Sequence, residues 1–353
     1  MIEATLGRLA AGDDLSMEDM SRAVEAIMLG LCSEAEIALL LTGLALKGET
    51  VAEVAGAAAA MRRQMTPIRT RRQGLIDTCG TGGDASGTFN ISTAAALVTA
   101  AAGVPVAKHG NRRVTSRSGS ADVLAALGVN VEADVACVES CLDELGICFC
   151  FAPLLHASMK HVSSVRQKLG TPTIFNLLGP LVNPAAAPFQ LLGVGRQELR
   201  PLLAEALTIL GTQRAVVVCG EDGLDEVTLA GTTYVSEVRG AGPFGDSDNS
   251  GANARGGAVR EFTWRPEDFG LQRAGLESMK VSGPDESAAM IRAILNGQPG
   301  PPREIVVLNA AAALWTAGKQ ASLRDCAAQA AAAIDSAAAR DLLAQLVERT
   351  NRA

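Results

Sequence analysis

The sequence has few aromatic residues and no excess of positive charge. Aromatics make up 3% of its 353 residues and hydrophobic residues 48%, so we expect a core built from Ala, Leu, Val and Ile. The formal net charge is −7, whereas nucleic acids and anionic membrane surfaces require a basic face on their partner. The composition therefore argues against both kinds of partner, and any anion-binding site must be local.

Signals for export and for disulfide or zinc frameworks are also missing. The N-terminal stretch MIEATLGRLAAGDDLS has neither a basic segment nor an apolar run, and no stretch approaches the length of a membrane span. The eight cysteines include no CxxC pair, and the cluster at 137–150 contains no His. Packing of free thiols is therefore favoured over a zinc site there. We expect a reduced, cytoplasmic protein.

Hydrophobic periodicity divides the chain into two parts. Between Thr5 and Gln64 it is helical, and Ser16, Ser33 and Thr50 each precede a helical run as cap residues do. A Pro and a basic run at 65–74 predict a linker. Beyond it, short apolar strands alternate with helices, which predicts a mostly parallel sheet covered by helices.

These patterns predict an α/β protein with a small helical N-terminal domain and a larger domain with a mostly parallel central sheet flanked by helices. We place the helical domain at 1–72, completed by a helical insertion near 155–184, and the α/β domain at 73–353. Strands are expected at 74–79, 104–110, 147–153, 189–195 and 214–220, and at the start of 304–318. The stretch 240–257 is rich in Gly, Asp, Asn and Ser and is expected to be a loop.

A glycine-rich loop, CGTGGDASGTFNIST at 79–93, joins a predicted strand to a predicted helix and contains neither Lys nor Arg. Such a junction directs backbone N–H groups and a helix N-terminus at an anion, and Gly80, Gly82 and Gly83 allow close approach. The loop is neither a Walker A motif, which needs a Lys, nor GxGxxG. We predict phosphate binding, with a tight turn that binds nothing as the alternative.

Positive charge follows at the next strand end. The stretch VAKHGNRRVTSRSGSAD at 106–122 contains Lys108, Arg112, Arg113 and several serine hydroxyls, all able to donate to phosphate oxygens. Two successive strand ends would then face one polyanion from two sides. For His109, a hydrogen-bonding spacer and an acid/base group both remain open.

An adjacent pair of acids follows a third strand. Asp225 and Glu226 lie in GEDGLDEVTLAG at 220–231, and hard carboxylate oxygens suit Mg²⁺ that keeps waters and is also held by substrate phosphates. A solvated acidic turn is the alternative.

Taken together, these stretches resemble the anthranilate phosphoribosyltransferase family, in the family's order and spacing and over essentially the whole chain. The matching stretches are GTGGD (80–84), TFNIST (88–93), KHGNR (108–112), SGSAD (118–122), FAPLLHASMKHVSSVRQKLG (151–170), TIFNLLGPLVNPA (173–185) and the Asp225-Glu226 pair. The resemblance implies a fold of the nucleoside phosphorylase/phosphoribosyltransferase type and a homodimer. It also implies transfer of phosphoribose from 5-phosphoribosyl 1-pyrophosphate (PRPP) to the amine of anthranilate, releasing pyrophosphate, in tryptophan biosynthesis.

The resemblance also implies roles for individual residues. PRPP contacts would fall on Gly80, Gly83, Asp84, Thr88, Asn90, Ile91, Ser92, Thr93, Lys108, His109, Gly110, Asn111, Arg112, Arg113, Val114, Thr115, Ser116 and Ser120. Anthranilate would meet Gly80, Asn111, His156, Arg166, Gly179 and Pro180, and Mg²⁺ would be bound by Ser92, Asp225 and Glu226. No dedicated catalytic residue is implied, because Lys108 and Mg²⁺ would stabilise the leaving pyrophosphate.

Three features depart from the family pattern. Ala85 stands where the family often has Gly, Pro172-Thr173 stands where it often has Arg-Thr, and the 240–257 loop is longer than the usual turn. A pyrimidine nucleoside phosphorylase and a noncatalytic nucleic-acid-binding relative are the alternative functions. The apolar residues Met28, Leu31, Ile37, Leu40 and Leu41 would serve either a dimer interface or the core within a domain.

Overall fold

The computed structural model describes residues 2–112, 119–240 and 257–352. Its N-terminal part contains four helices, α1 (Glu3–Ala10), α2 (Met17–Met28), α3 (Glu34–Lys47) and α4 (Val51–Gln64). The side chains of Ser16, Ser33 and Thr50 each accept a hydrogen bond from the third backbone N–H of the helix that follows. The three predicted caps are therefore confirmed.

A single sheet organises the rest of the chain. Within the described ranges its strands are β1 (Ile76–Gly80), β2 (Val106–Gly110), β3 (Ile147–Phe151), β4 (Phe189–Gly193), β5 (Arg214–Gly220), β6 (Thr233–Arg239) and β7 (Ala258–Trp264). They lie in the order β3-β2-β1-β4-β5-β6-β7. The first five are parallel, and β6 and β7 are added antiparallel at one edge. The predicted mostly parallel sheet is confirmed.

Helices cover both faces of this sheet. They are α5 (Ile91–Ala101), α6 (Ser120–Ala126), α7 (Val135–Leu145), α8 (Ala152–Leu155), α9 (Lys160–Leu169), α10 (Phe175–Leu178), α11 (Leu199–Ile209), α12 (Pro284–Leu295), α13 (Pro301–Thr316), α14 (Leu323–Asp335) and α15 (Ala338–Asn351). Among the described residues, no helix combines the length and the apolar character needed to cross a bilayer.

Two sequence-based expectations need correction. The stretch 304–318 was expected to begin as a strand, but it lies in α13 and in the turn after it. The run Ile305–Leu308 is buried all round in this helix, which makes it look like a buried strand in sequence. Strands β6 and β7 were not predicted, because charges such as Glu237 interrupt their apolar pattern. In the fold Arg214 pairs with Glu237 across the sheet at 2.7 Å.

Two hydrophobic cores lie on opposite faces of the sheet. Leu191 of β4 packs in the core with α5 and α13, whereas its neighbour Leu192 packs in the core with α2, α3 and α4, because side chains alternate along a strand. Val162 and Val165 of α9 also belong to the second core. The insertion therefore packs with the N-terminal helices.

The five apolar residues for which a dimer interface and a core were alternatives differ in burial. Four of them are buried within the second core, namely Met28, Ile37, Leu40 and Leu41. Leu31 is exposed, at 51%.

Candidate functional site

The candidate site is a cavity of about 560 Å³ at the carboxyl ends of β1 and β2. It is lined by the glycine-rich loop after β1, the start of the loop after β2, and the Asp225-Glu226 turn after β5. Ligands of open α/β sheets bind at such strand ends. The fold thus brings together three stretches that sequence analysis selected separately.

Most residues predicted to contact PRPP line this cavity. They are Gly80, Gly83, Asp84, Thr88, Asn90, Ile91, Ser92, Lys108, His109, Gly110, Asn111, Arg112 and Ser120. Thr93 lies behind the loop, where its buried hydroxyl donates to the Asn90 side chain. Arg113, Val114, Thr115 and Ser116, like residues 241–256 of the predicted loop, lie outside the described residues.

Glycines at the strand ends let neighbouring loops cross over them. A Cβ atom on Gly193, at the end of β4, would lie 1.6 Å from the backbone oxygen of Asp225. A Cβ atom on Gly110, at the end of β2, would lie 2.1 Å from the Ser120 hydroxyl. Any larger residue would therefore push the acidic turn or the start of α6 out of the cavity wall.

Lys108 supplies a buried positive charge to the cavity. Its ammonium donates to the Thr78 carbonyl over 2.5 Å and to the Ser92 hydroxyl over 3.1 Å. Burial lowers the pKa of Lys108, and the negative charges of Asp77, Glu226 and Asp225 oppose that change. The ammonium is thereby held between β1 and the N-terminus of α5. Because a helix N-terminus also favours anions, the ammonium and the helix would attract the same anion.

The acidic turn is half-buried and brings two adjacent carboxyl groups together. Burial and the nearby Asp84 raise the pKa of Asp225 to about 7. Burial and the adjacent Asp225 raise the pKa of Glu226 to about 8. Carboxyl pKa values rise in this way when burial and like charge outweigh nearby positive charge, which at Glu226 comes from Lys108. A divalent cation at this turn would add further positive charge.

The donor set at the turn suits a cation held partly by its ligand. Among the described residues, no group of three or more His, Cys, Asp or Glu side chains forms a ready-made metal site. Asp225, Glu226 and the Ser92 hydroxyl are hard oxygen donors, and Mg²⁺ is usually bound by one or two carboxylates together with water and phosphate oxygens. The residues present therefore fit Mg²⁺ in company with a phosphorylated substrate.

His109 connects the cavity to the helical insertion. Its Nδ1 lies 3.0 Å from the carbonyl oxygen of Gly179, and its Nε2 lies 3.2 Å from Nε2 of His156. Because a carbonyl only accepts, the hydrogen-bond pattern assigns a proton to Nδ1 of His109. Burial is the main reason that the pKa values of His109 and His156 fall to about 3 and about 4. Groups with pKa values this far below 7 are weak bases at that pH, which favours the spacer interpretation of His109.

The residues assigned to anthranilate do not all line one cavity. Gly80 and Asn111 line it, whereas His156, Arg166, Gly179 and Pro180 lie beyond His109. Arg166 lies on α9, donates to Asn176 over 3.4 Å and sits 5.7 Å from the centre of the Phe175 ring. Burial lowers the pKa of Arg166, with no carboxylate acting on it among the described residues. In this part of the chain, the Arg166 guanidinium therefore has no acid partner.

Two buried polar residues behind the cavity, Asp77 and Gln190, are not predicted from the sequence. Asp77 accepts from the His109 backbone N–H at 3.1 Å, and Gln190 donates to the Pro180 carbonyl at 2.6 Å. Both residues lie inside strands, and a polar residue within a buried strand pattern was the available signal.

Comparison with known proteins identifies the family. Residues 4–65 match the model of the glycosyl transferase family, helical bundle domain, and residues 72–340 match that of the glycosyl transferase family, a/b domain. Anthranilate phosphoribosyltransferase of Rhodospirillum rubrum is 52% identical over 346 residues, which cover 98% of this chain and 95% of that protein. This chain belongs to the anthranilate phosphoribosyltransferase family. The family assignment made from the sequence is confirmed.

Solved anthranilate phosphoribosyltransferase structures share the fold over their whole length. The enzyme from Thermus thermophilus matches with a TM-score of 0.88 at 42% identity, covering 98% of this chain and 99% of that one. The Saccharomyces cerevisiae enzyme in complex with PRPP and Mg matches with a TM-score of 0.87 at 27% identity, covering 99% and 97%. These relatives support the phosphoribosyltransferase function and neither of the two alternatives.

Proposed function

We propose that the cavity is where this family member brings PRPP and anthranilate together. The phosphoribosyl group would pass from PRPP to the anthranilate amine, giving N-(5-phosphoribosyl)anthranilate and pyrophosphate, as a step of tryptophan biosynthesis. The convergence of the glycine-rich loop, Lys108 and the Asp225-Glu226 turn on one cavity carries this proposal. Together they offer backbone donors, a cation and a metal-binding turn to a single sugar pyrophosphate.

The donor half of the site would hold the pyrophosphate. Backbone N–H groups of the glycine-rich loop and the N-terminus of α5 suit its oxygens, and Lys108 adds a charge-assisted donor. The site residues assigned to PRPP from the sequence, including Arg113–Ser116, keep that role in the proposal. Charge that develops on the leaving group would be stabilised by donors already fixed in place.

Mg²⁺ would be held by Ser92, Asp225 and Glu226, and it would neutralise charge on the pyrophosphate. Support comes from the raised pKa values of Asp225 and Glu226, and from the yeast relative whose structure contains PRPP and Mg. Proton loss from both carboxyls would accompany binding, since metal ligands must be deprotonated.

The acceptor half would orient anthranilate. The guanidinium of Arg166, which has no acid partner among the described residues, suits the anthranilate carboxylate. Asn111, His156, Gly179 and Pro180 would lie along the path to Gly80. An aniline-type nitrogen is neutral at pH 7 and needs no strong base. The low pKa values of His109 and His156 agree with catalysis by positioning and charge stabilisation rather than by a dedicated base.

We further propose a cytoplasmic homodimer with the domain division 1–72 and 73–353, the insertion near 155–184 joining the smaller domain. Packing of Val162 and Val165 with the N-terminal helices supports this division. Leu31, Leu39 and Leu46 are exposed on or next to α3, at 51%, 62% and 84%, and would bury apolar area against a twin. Light scattering after gel filtration tests the dimer, and a monomer mass would contradict it.

Loss of anthranilate fluorescence tests the reaction. The purified protein is expected to consume anthranilate only when PRPP and Mg²⁺ are both present. If anthranilate persists while uridine or thymidine is cleaved in phosphate, the protein is a phosphorylase and the proposal is wrong.

A further inference from the structure

Three consecutive carbonyl groups of the 3-10 turn Gly179–Leu181 each accept a hydrogen bond from a different element. His109 of β2 faces Gly179 O at 3.0 Å, Gln190 of β4 donates to Pro180 O over 2.6 Å, and Arg62 of α4 donates to Leu181 O over 2.7 Å. The turn is therefore fixed by side chains from the sheet on one side and from the N-terminal helices on the other.

Gln190 is an unusual residue for its place. It lies within a parallel strand between β1 and β5, aligned with Asp77 and Ala215, and it is 4% exposed. A buried amide costs free energy unless its hydrogen bonds are made. Its Nε2 meets Pro180 O and, at 3.3 Å, the Cys79 sulfur at the end of β1. An aliphatic residue would pack in the sheet, but it would leave Pro180 O without this donor.

Arg62 holds the same turn from the other side. Its Nη1 also donates to Leu210 O, at the end of α11, over 3.2 Å. Burial lowers the pKa of Arg62, with no carboxylate acting on it among the described residues, and its donors are used on backbone carbonyls. Arg62 thereby connects α4, the turn and α11.

We propose that Gln190 is a positioning residue for the acceptor, acting through the Pro180 carbonyl, with Arg62 as its counterpart from the helical side. This inference rests on the proposed function, in which Gly179 and Pro180 line the path of anthranilate. A turn that contains Gly and Pro has few backbone donors and a flexible first residue. External donors therefore decide where its backbone lies.

Gln190→Met tests the inference, because it keeps a similar volume and removes the donor. We expect the KM for anthranilate to rise about tenfold while the KM for PRPP stays within about twofold, as for loss of one hydrogen bond at the acceptor side only. Leu191→Val is the matched control: it alters the next residue of β4, whose side chain packs on the opposite face. Leu191→Val is expected to lower stability without raising the KM for anthranilate relative to the KM for PRPP.

Amide hydrogen exchange gives a readout that does not depend on the reaction. In Gln190→Met, a peptide covering 177–185 is expected to exchange faster than in the wild type, while a peptide covering the loop 80–90 is unchanged. Unchanged exchange at 177–185 would show that Gln190 does not fix the turn Gly179–Leu181, and it overturns the inference. Faster exchange with an unchanged KM for anthranilate overturns the acceptor role and leaves the proposed function standing. A wild type that does not consume anthranilate overturns the proposed function, and with it the acceptor role, whatever the exchange result.

Discussion

The backbone N–H of Gly82 donates to Oδ2 of Asp225 over 2.9 Å, joining two loops 143 residues apart in sequence. This bond connects the glycine-rich loop to the acidic turn across the ends of β1 and β5. A loop without Lys or Arg is thus in direct contact with the turn that would bind a cation.

The half-buried carboxyls of Asp225 and Glu226 predict a pH dependence of stability in metal-free protein. The pKa values of Asp225 and Glu226 rise from 3.8 and 4.5 to about 7 and about 8. Between the ordinary and the raised values, the folded state binds more protons than the unfolded chain, so stability falls as the pH rises. Below pH 6.5 the lowered pKa values of His109 and His156 change stability in the opposite direction. We therefore expect urea midpoints of the protein in chelator to fall between about pH 6.5 and pH 8.

The Asp225→Asn/Glu226→Gln variant is the control for that measurement, because neither amide titrates. Its urea midpoint is expected to change less with pH than that of the wild type over the same window. An equal slope in both proteins would show that other groups cause the dependence.

Arg166→Ala is expected to raise the KM for anthranilate and leave the KM for PRPP nearly unchanged, because only the acceptor presents a carboxylate to this residue. Loss of a charge-assisted pair corresponds to roughly ten- to a hundredfold in kcat/KM for anthranilate. Steady-state kinetics with each substrate varied in turn measures the two KM values separately.

Lys168→Ala serves as the matched control for Arg166→Ala. Lys168 lies two residues further along α9 and pairs with Glu34 on the surface at 2.6 Å, so neither KM is expected to change. Equal weakening of both substrates by Arg166→Ala would remove Arg166 from the acceptor role.

Lys108→Met is expected to lower kcat by about 10²- to 10³-fold, because it removes a fixed donor to the leaving pyrophosphate. The ammonium also bonds to Thr78 O and the Ser92 hydroxyl, so circular dichroism must first establish that the variant is folded. Single-turnover kinetics then isolates the chemical step. A folded variant with wild-type kcat would contradict the role of Lys108.

Ala85→Gly is expected to stabilise the glycine-rich loop. Ala85 has φ of +56°, a left-handed conformation that costs a residue with a Cβ about 1–2 kcal/mol, partly offset by the entropy of glycine in the unfolded chain. We expect a net gain of up to about 1 kcal/mol in urea unfolding.

Ala186→Gly provides the comparison for the Ala85 variant, since Ala186 has φ of +48° and does not line the cavity. A similar gain in stability is expected, with an unchanged KM for PRPP. If Ala85→Gly destabilises the protein while Ala186→Gly stabilises it, the strain argument fails at the loop.

Local patterns were enough to predict the capped helices, the parallel strands and the loops around the cavity. Ser16, Ser33 and Thr50 act within one turn of helix, and the motif at 80–93 contains its own strand end, turn and helix start. These features depend on neighbours in sequence, and sequence reasoning reaches them directly.

Features that depend on distant partners were missed. The strand β6 is stabilised by pairing of Glu237 with Arg214, and the helical state of Ile305–Leu308 depends on burial on all sides. The role of Gln190 depends on the position of β4 beside the turn at Pro180, which only the fold shows. The separation of Arg166 from the cavity likewise depends on where the insertion packs, which no spacing along the chain records.

The stoichiometry of the reaction tests the central claim most directly. Anthranilate consumed and pyrophosphate released are measured in one incubation of the wild-type protein with PRPP and Mg²⁺. The account predicts equal molar amounts, with N-(5-phosphoribosyl)anthranilate as the product identified by mass spectrometry. Pyrophosphate release without anthranilate consumption would contradict it. So would an incubation in which no anthranilate is consumed and no pyrophosphate is released.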